Sequence, residues 1–165
     1  MPSRVNYIAK IGLLAAIGLI FSYVERLFPI PIGIPGVKVG ISNIVTVVAI
    51  YILSPSAAFA VTFIRVLLAG TLFSTGIGII YSICGAFFSL FIMGILHKSN
   101  RFSVIGISAG GGVAHNASQL LVACITVESF KLLYYLPILL LAGVVAGVVV
   151  GVVSKIIVNR LMQVH

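Results

Sequence analysis

Long apolar runs dominate the chain, and few polar positions interrupt them. Runs of this kind predict transmembrane helices, because about 20 mostly apolar residues are needed to cross a bilayer. Six segments qualify, although the second is short and leads almost directly into the third, whose first turn suits Pro55. The predicted spans are residues 7–28, 39–53, 56–74, 77–96, 103–126 and 134–157.

The composition agrees with a membrane protein. Of the 165 residues, 61% are hydrophobic and 7% are charged, whereas a soluble domain carries about 25% charged residues. We therefore expect residues 1–165 to form a single transmembrane domain, an all-α bundle of six helices.

Lysine and arginine residues in the loops predict the orientation of the bundle. With the N-terminus in the cytoplasm, the inner side carries Arg4, Lys10, Lys98, Arg101, Lys155 and Arg160, and the outer side carries Arg26, Lys38 and Lys131. This excess places both termini on the cytoplasmic side of the cell membrane. The bases are scattered singly around apolar runs, so the net charge of +8 indicates orientation in a lipid membrane and not nucleic-acid binding.

The fifth segment contains SAGGGVAHNASQLLVAC, residues 108–124, where polar side chains interrupt an apolar run. The spacing places His115, Asn116 and Gln119 on one helical face, with Gly112 one turn earlier. Polar side chains are costly in a membrane, so they face protein, water or a ligand. Hydrogen bonds between helices are the structural alternative, but three such groups together favour a binding site.

Arg65 lies near the middle of the third segment, where insertion costs about 2.5–3.5 kcal/mol. The only acids in the chain are Glu25 and Glu128. Arg65 must therefore use carbonyls, polar side chains, water or an anionic ligand, unless Glu25 tilts inward to pair with it. Many of the polar residues are expected in the outer half of the bundle, beneath the proline-rich stretch over residues 28–40. This arrangement is typical of a pocket that opens to the outside.

Small residues form two stripes that suit close helix contacts. Gly143, Gly147 and Gly151 are spaced four apart in the sixth segment, and we expect them to pack within the chain. Gly12 and Ala16 form a second stripe on the first segment, which we predict to meet a partner helix.

The sequence contains no motif that predicts catalysis. It has no Gly-rich loop of the Walker type, no aspartate and only two isolated glutamates. ATP hydrolysis needs that loop, and diphosphate chemistry needs clustered carboxylates that hold magnesium. We expect no enzymatic activity, no metal site and no cofactor, and energy for any transport would come from another protein.

Three stretches carry a family resemblance: PGVKVGISNIVT (35–46), AHNASQLLVA (114–123) and LYYLPILLLAGVVAG (133–147). They resemble the Gx transporter family, also named heptaprenyl diphosphate synthase component I, and the likeness runs over about residues 8 to 158. That family is similar to the S-components of energy-coupling-factor transporters. The resemblance implies six helices, a bound vitamin-like molecule, and a partner module with a transmembrane coupling protein and two ATPases.

The resemblance also suggests where the sites lie. It implies a ligand site between the first outer loop and the later helices, and docking through small residues of the first helix. The substrate-binding candidates are Lys38, Asn43, Arg65, His115, Asn116 and Gln119. The docking candidates are Gly12 and Ala16, which depart from the Ala-xxx-Ala form of many S-components.

Two functional hypotheses follow, with a third behind them. The first is a substrate-binding membrane subunit that takes up a small vitamin- or cofactor-precursor-like molecule, anionic or amphiphilic, and is energised by a separate ATPase module. The alternative is a non-catalytic accessory subunit that recruits a soluble prenyl diphosphate synthase or a redox enzyme. The third is a purely structural bundle in a larger membrane complex.

Overall fold

A computed structural model of the protein describes residues 4–27, 40–73 and 76–163. These residues form six α-helices, with a short 3₁₀ helix (Phe130–Tyr135) before the last of them. The α-helices are α1 (Arg4–Leu27), α2 (Asn43–Ile52), α3 (Pro55–Phe73), α4 (Ile77–Lys98), α5 (Val104–Thr126) and α6 (Leu136–Gln163).

Each of the six predicted segments overlaps one α-helix, although α1 begins before residue 7 and α6 continues past residue 157. The described part of the chain contains no strand, so the all-α class is confirmed. Four segments are long and apolar enough to cross a membrane: α1, α3, α4 and the 3₁₀ helix together with α6. Such helices are compatible with a multi-pass membrane protein. The polar residues of α5 lower its hydropathy and α2 is short, so the six crossings and the orientation of the ends stay predictions.

Helix α2 is shorter than the predicted span of residues 39–53. It has 10 residues and is therefore about 15 Å long, half of the roughly 30 Å hydrocarbon thickness. Seven of its residues are buried, in the continuous run from Ile44 to Ile50. A helix that is apolar on all sides belongs in the interior of a bundle, and α2 packs between α1, α3 and α6.

The connection between α2 and α3 is a tight reversal, as the sequence predicts. Helix α3 begins at Pro55, where the missing N–H and the fixed φ of proline are tolerated. The Ser54 hydroxyl accepts a hydrogen bond from the backbone N–H of Ala57 at 3.1 Å. This contact satisfies one of the free donors at the start of α3.

Glycines bring α5 and α6 into backbone contact. A Cβ atom on Gly112 would collide with the carbonyl oxygen of Gly143. A Cβ atom on Gly147 would lie 2.6 Å from the Ala109 Cα atom, and one on Gly151 would lie 2.8 Å from the Ile105 Cα atom. The prediction that the glycines of α6 pack within the chain is confirmed.

Candidate functional site

A cavity of about 10 Å³ lies between α2, α4, α5 and α6. Its volume is about that needed for one water molecule. Residues from all four helices line it, and polar side chains come from three of them. The polar lining residues are Asn43 of α2, Ser89 of α4, and Ser108, His115 and Asn116 of α5.

Three of the predicted site residues therefore meet at this cavity: Asn43, His115 and Asn116. Asn116 is buried, and its Nδ2 atom donates to the carbonyl oxygen of Leu139 at 3.0 Å. That bond joins α5 to α6, so one donor of Asn116 already serves helix packing. Asn43, from α2, contributes a second amide to the residues that line the cavity.

His115 is half-buried and packs against α4 at Gly85. A Cβ atom at Gly85 would lie 2.8 Å from the Cε1 atom of His115 and 3.0 Å from the Cγ atom of Gln119. Gly85 is thus the residue that lets the imidazole ring lie against α4. Gln119 shares this contact with His115, but it is not among the residues that line the cavity.

Arg65 lies in a second polar cluster. Its side chain is 5% exposed, and its Nη1 atom donates to the hydroxyl oxygens of Ser42 at 2.7 Å and of Ser22 at 3.4 Å. A Cβ atom on Gly18 would lie 2.6 Å from the Arg65 Cδ atom, so this glycine makes room for the side chain. Polar side chains were one of the predicted solutions for Arg65, and these two serines provide it.

Glu25 does not form an ion pair with Arg65; its carboxylate caps the start of α2. Oxygen Oε1 accepts from the backbone N–H of Gly40 at 2.5 Å and of Ile41 at 3.0 Å. Oxygen Oε2 accepts from the backbone N–H of Ser42 at 3.5 Å. Glu25 and Arg65 therefore act on Ser42 from two sides, through its backbone and its hydroxyl.

Sequence reasoning missed several members of these clusters, although helical spacing carried a signal for them. Ser108 lies four residues before Gly112 and seven before His115, so it shares their face. Gly18, Ser22 and Glu25 follow the same spacing on α1. Ser89 is 1% exposed, and its hydroxyl makes no hydrogen bond to the described residues.

The remaining candidates lie elsewhere. Lys38 and the proline-rich stretch fall outside the described residues. Gly12 and Ala16 are exposed on α1, and a Cβ atom on Gly12 would meet nothing within 4 Å. Docking through this stripe stays a prediction.

Comparison with known proteins gives one match. The family model described as heptaprenyl diphosphate synthase component I matches residues 14–157, which cover most of the chain. No curated protein and no solved structure matches.

Proposed function

The chain belongs to the heptaprenyl diphosphate synthase component I family, and we propose that it is a substrate-binding membrane subunit similar to the S-components of energy-coupling-factor transporters. Its ligand is a small vitamin- or cofactor-precursor-like molecule with a polar or anionic group. One observation carries the proposal: Asn43, His115 and Asn116 come from two helices and meet at one cavity inside an apolar bundle.

The polar lining of the cavity supports ligand binding. Polar groups inside a membrane protein are expensive and usually mark a functional site. The hydroxyl of Ser89 is buried and makes no hydrogen bond to the described residues, so it is available to a polar group placed in the cavity. Amide, imidazole and hydroxyl groups together offer both donors and acceptors.

The size of the cavity limits how a ligand binds. Pockets for drug-sized molecules measure roughly 300–1,000 Å³, whereas this cavity holds about 10 Å³. Only a single polar group of a ligand fits between the helices in the present arrangement. The proposal therefore includes a movement of the start of α2, at Gly40 and Asn43, away from α5.

Transport would need energy from a partner. The sequence has no phosphate-binding loop of the Walker type, so ATP hydrolysis would take place on a separate ATPase module. The exposed stripe of Gly12 and Ala16 on α1 is the surface that we propose for a transmembrane coupling protein.

Native mass spectrometry of the gently purified protein tests the proposal. We expect a bound small molecule, and we expect His115→Ala together with Asn116→Ala to weaken its binding at least tenfold, because both side chains line the cavity. Thr71→Ala is the matched control, since Thr71 is exposed and its hydroxyl donates to carbonyl oxygens of its own helix, α3. Unchanged affinity in the double variant would remove this site.

A non-catalytic accessory subunit is the second candidate, and two observations favour it. The family description names a synthase component. The hydrogen bond between Asn116 and Leu139 and the small size of the cavity are also typical of a packed scaffold. Such a subunit would recruit a soluble prenyl diphosphate synthase. Co-expression with that enzyme would then give a stoichiometric complex that carries no small molecule.

A further inference from the structure

The start of α2 already holds an anion, and that anion belongs to the chain itself. The Glu25 carboxylate accepts hydrogen bonds from the three successive backbone N–H groups of residues 40–42, at 2.5, 3.0 and 3.5 Å. Gly40 has φ +77°, and successive N–H groups in such a turn form a concavity that binds anions. We call these three N–H groups the α2 nest.

A buried cation lies beside the α2 nest. The Nη1 atom of Arg65 donates to the Ser42 hydroxyl at 2.7 Å, which places the guanidinium beside the last residue of the nest. The side chain is 5% exposed, and its Nε atom makes no hydrogen bond to the described residues. Arg65 therefore has donor capacity that the described residues do not use, at a place where the positive end of the α2 dipole also favours an anion.

Glu25 lies near the surface of the bundle. Its side chain is half-buried, while both chain neighbours, Val24 and Arg26, are exposed. It lies in the last turn of α1, so a rotation about its own side-chain bonds carries the carboxylate to the surface of the bundle. The nest and Arg65 would then need another anion, because the only other acid in the chain is Glu128, which is exposed after the end of α5.

We propose that the α2 nest and Arg65 form a binding site for the carboxylate or phosphate group of a ligand, and that Glu25 occupies this site until the ligand displaces it. This inference rests on the proposed function and specifies it: Gly40 and Asn43 border both the nest and the cavity, so an anionic group in the nest would place the rest of the ligand beside His115. Glu25 then acts as an internal substitute for the ligand.

Thermal unfolding with inorganic phosphate as the probe tests the site. Glu25→Gln keeps the size of the side chain and one acceptor oxygen, but it removes the charge that competes with a free anion. We expect phosphate to raise the unfolding temperature of Glu25→Gln by about 5 °C over chloride of equal ionic strength. The wild-type protein should respond weakly, because its own carboxylate fills the nest.

Matched variants make the result specific. Glu128→Gln removes the other carboxylate and should behave like the wild-type protein in both salts. Glu25→Gln combined with Arg65→Gln should lose the phosphate response, since the guanidinium is absent. If Glu25→Gln cannot be purified in chloride, its recovery in phosphate buffer counts as the response, and Glu25→Asp, one methylene shorter, provides a second variant for the same titration.

A second probe distinguishes between a soluble ligand and a lipid as the source of the anion. A response to inorganic phosphate supports a site for the anionic group of a soluble ligand, and a response to short-chain phosphatidic acid alone assigns the same site to a lipid headgroup. Equal unfolding temperatures of Glu25→Gln in phosphate, phosphatidic acid and chloride would overturn the site.

The outcome is independent of the test of the proposed function. A phosphate response without any small molecule in native mass spectrometry would keep the anion site and reject the transport role. A co-purified molecule whose affinity is the same in the wild-type protein and in Glu25→Gln would keep the transport role and reject the site.

Discussion

At the scale of single residues, Ser42 stands at the start of α2 and also accepts a hydrogen bond from Arg65, two roles that the sequence does not connect. It is the N-cap residue of α2, yet its side chain makes no capping hydrogen bond. Glu25 instead accepts from the backbone N–H groups of the turn before the helix, and the Ser42 hydroxyl accepts from Arg65 at 2.7 Å. A charge-assisted hydrogen bond is about twice as strong as a neutral one. The bond from the guanidinium is therefore stronger than a capping bond from a neutral backbone N–H group would be.

Gly40 is the residue on which the turn before α2 depends. Gly40→Ala should destabilise the protein by about 1 kcal/mol, because φ is +77° and left-handed backbone is unfavourable with a Cβ atom. The new atom would also lie 3.1 Å from the Asn43 Nδ2 atom. Thermal unfolding in detergent measures the change. Gly12→Ala is the control, with nothing within 4 Å of its Cβ atom, and equal unfolding temperatures of the two variants would contradict the prediction.

The contacts of Arg65 show what the sequence could not predict at this scale. Its depth in the third segment was evident from the apolar residues around it, and so was its need for polar partners. The identity of those partners depends on how α1, α2 and α3 pack, because Ser22 and Ser42 lie 43 and 23 residues away in sequence. Spacing along one helix cannot reveal a contact between helices.

At the scale of elements, α5 and α6 form the most closely packed pair of helices in the described part of the chain. Four glycines let the two backbones touch, because a helix pair approaches this closely only where side chains are absent. Three of the polar residues that line the cavity lie on α5, so the α5–α6 contact fixes the position of His115 and Asn116 relative to α6.

Gly112→Ala tests this contact. The added methyl group would collide with the Gly143 carbonyl oxygen, and backbone cannot move aside as a side chain can, so we expect a loss of about 3 kcal/mol. Gly110→Ala on the same helix is the control, since its Cβ atom would meet side-chain ends and no backbone: the Cδ1 atom of Leu96 and, at 3.8 Å, the Cγ2 atom of Ile92. Chemical unfolding in detergent compares them, and similar midpoints would show that the helices separate easily.

The elements themselves were largely predictable, and the reasons are local. Apolar runs and Pro55 predict where helices begin and end, and the glycine spacing in α6 predicts a close helix contact. The length of α2 was not predictable, because the turn over residues 40–42 is held by a contact from outside this segment. The cap that ends this turn comes from Glu25, on another helix. The volume of the cavity depends on how side chains from four helices interlock, which no local pattern records.

At the scale of the whole molecule, large apolar side chains cover much of the described surface, and several polar side chains are buried among the apolar residues of the interior. Many large apolar side chains are exposed, including Phe88, Phe91 and Leu141, whereas Arg65, Asn116 and several serines are buried. A soluble protein rarely exposes apolar surface on this scale. Lipid is the solvent that this distribution fits.

Helix α5 is the element whose crossing most needs a test. We expect a fusion of green fluorescent protein after residue 100 to fluoresce in the cytoplasm, and alkaline phosphatase fused after residue 129 to be active on the other side. The reason is that α5 has 23 residues, about 34 Å, which is enough to cross despite its polar face. Reporters on the same side at both positions would show that α5 does not cross and would reject six spans.

The backbone contact between α5 and α6 also restricts how this chain can evolve. Gly112, Gly143, Gly147 and Gly151 each face main-chain atoms of the opposite helix, so no residue with a larger side chain fits at any one of them while the others remain. Compensation would require both helices to shift together. The lipid-facing residues have no such restriction, so sequence divergence should accumulate on the outside of the bundle while the four glycines of the α5–α6 contact stay unchanged.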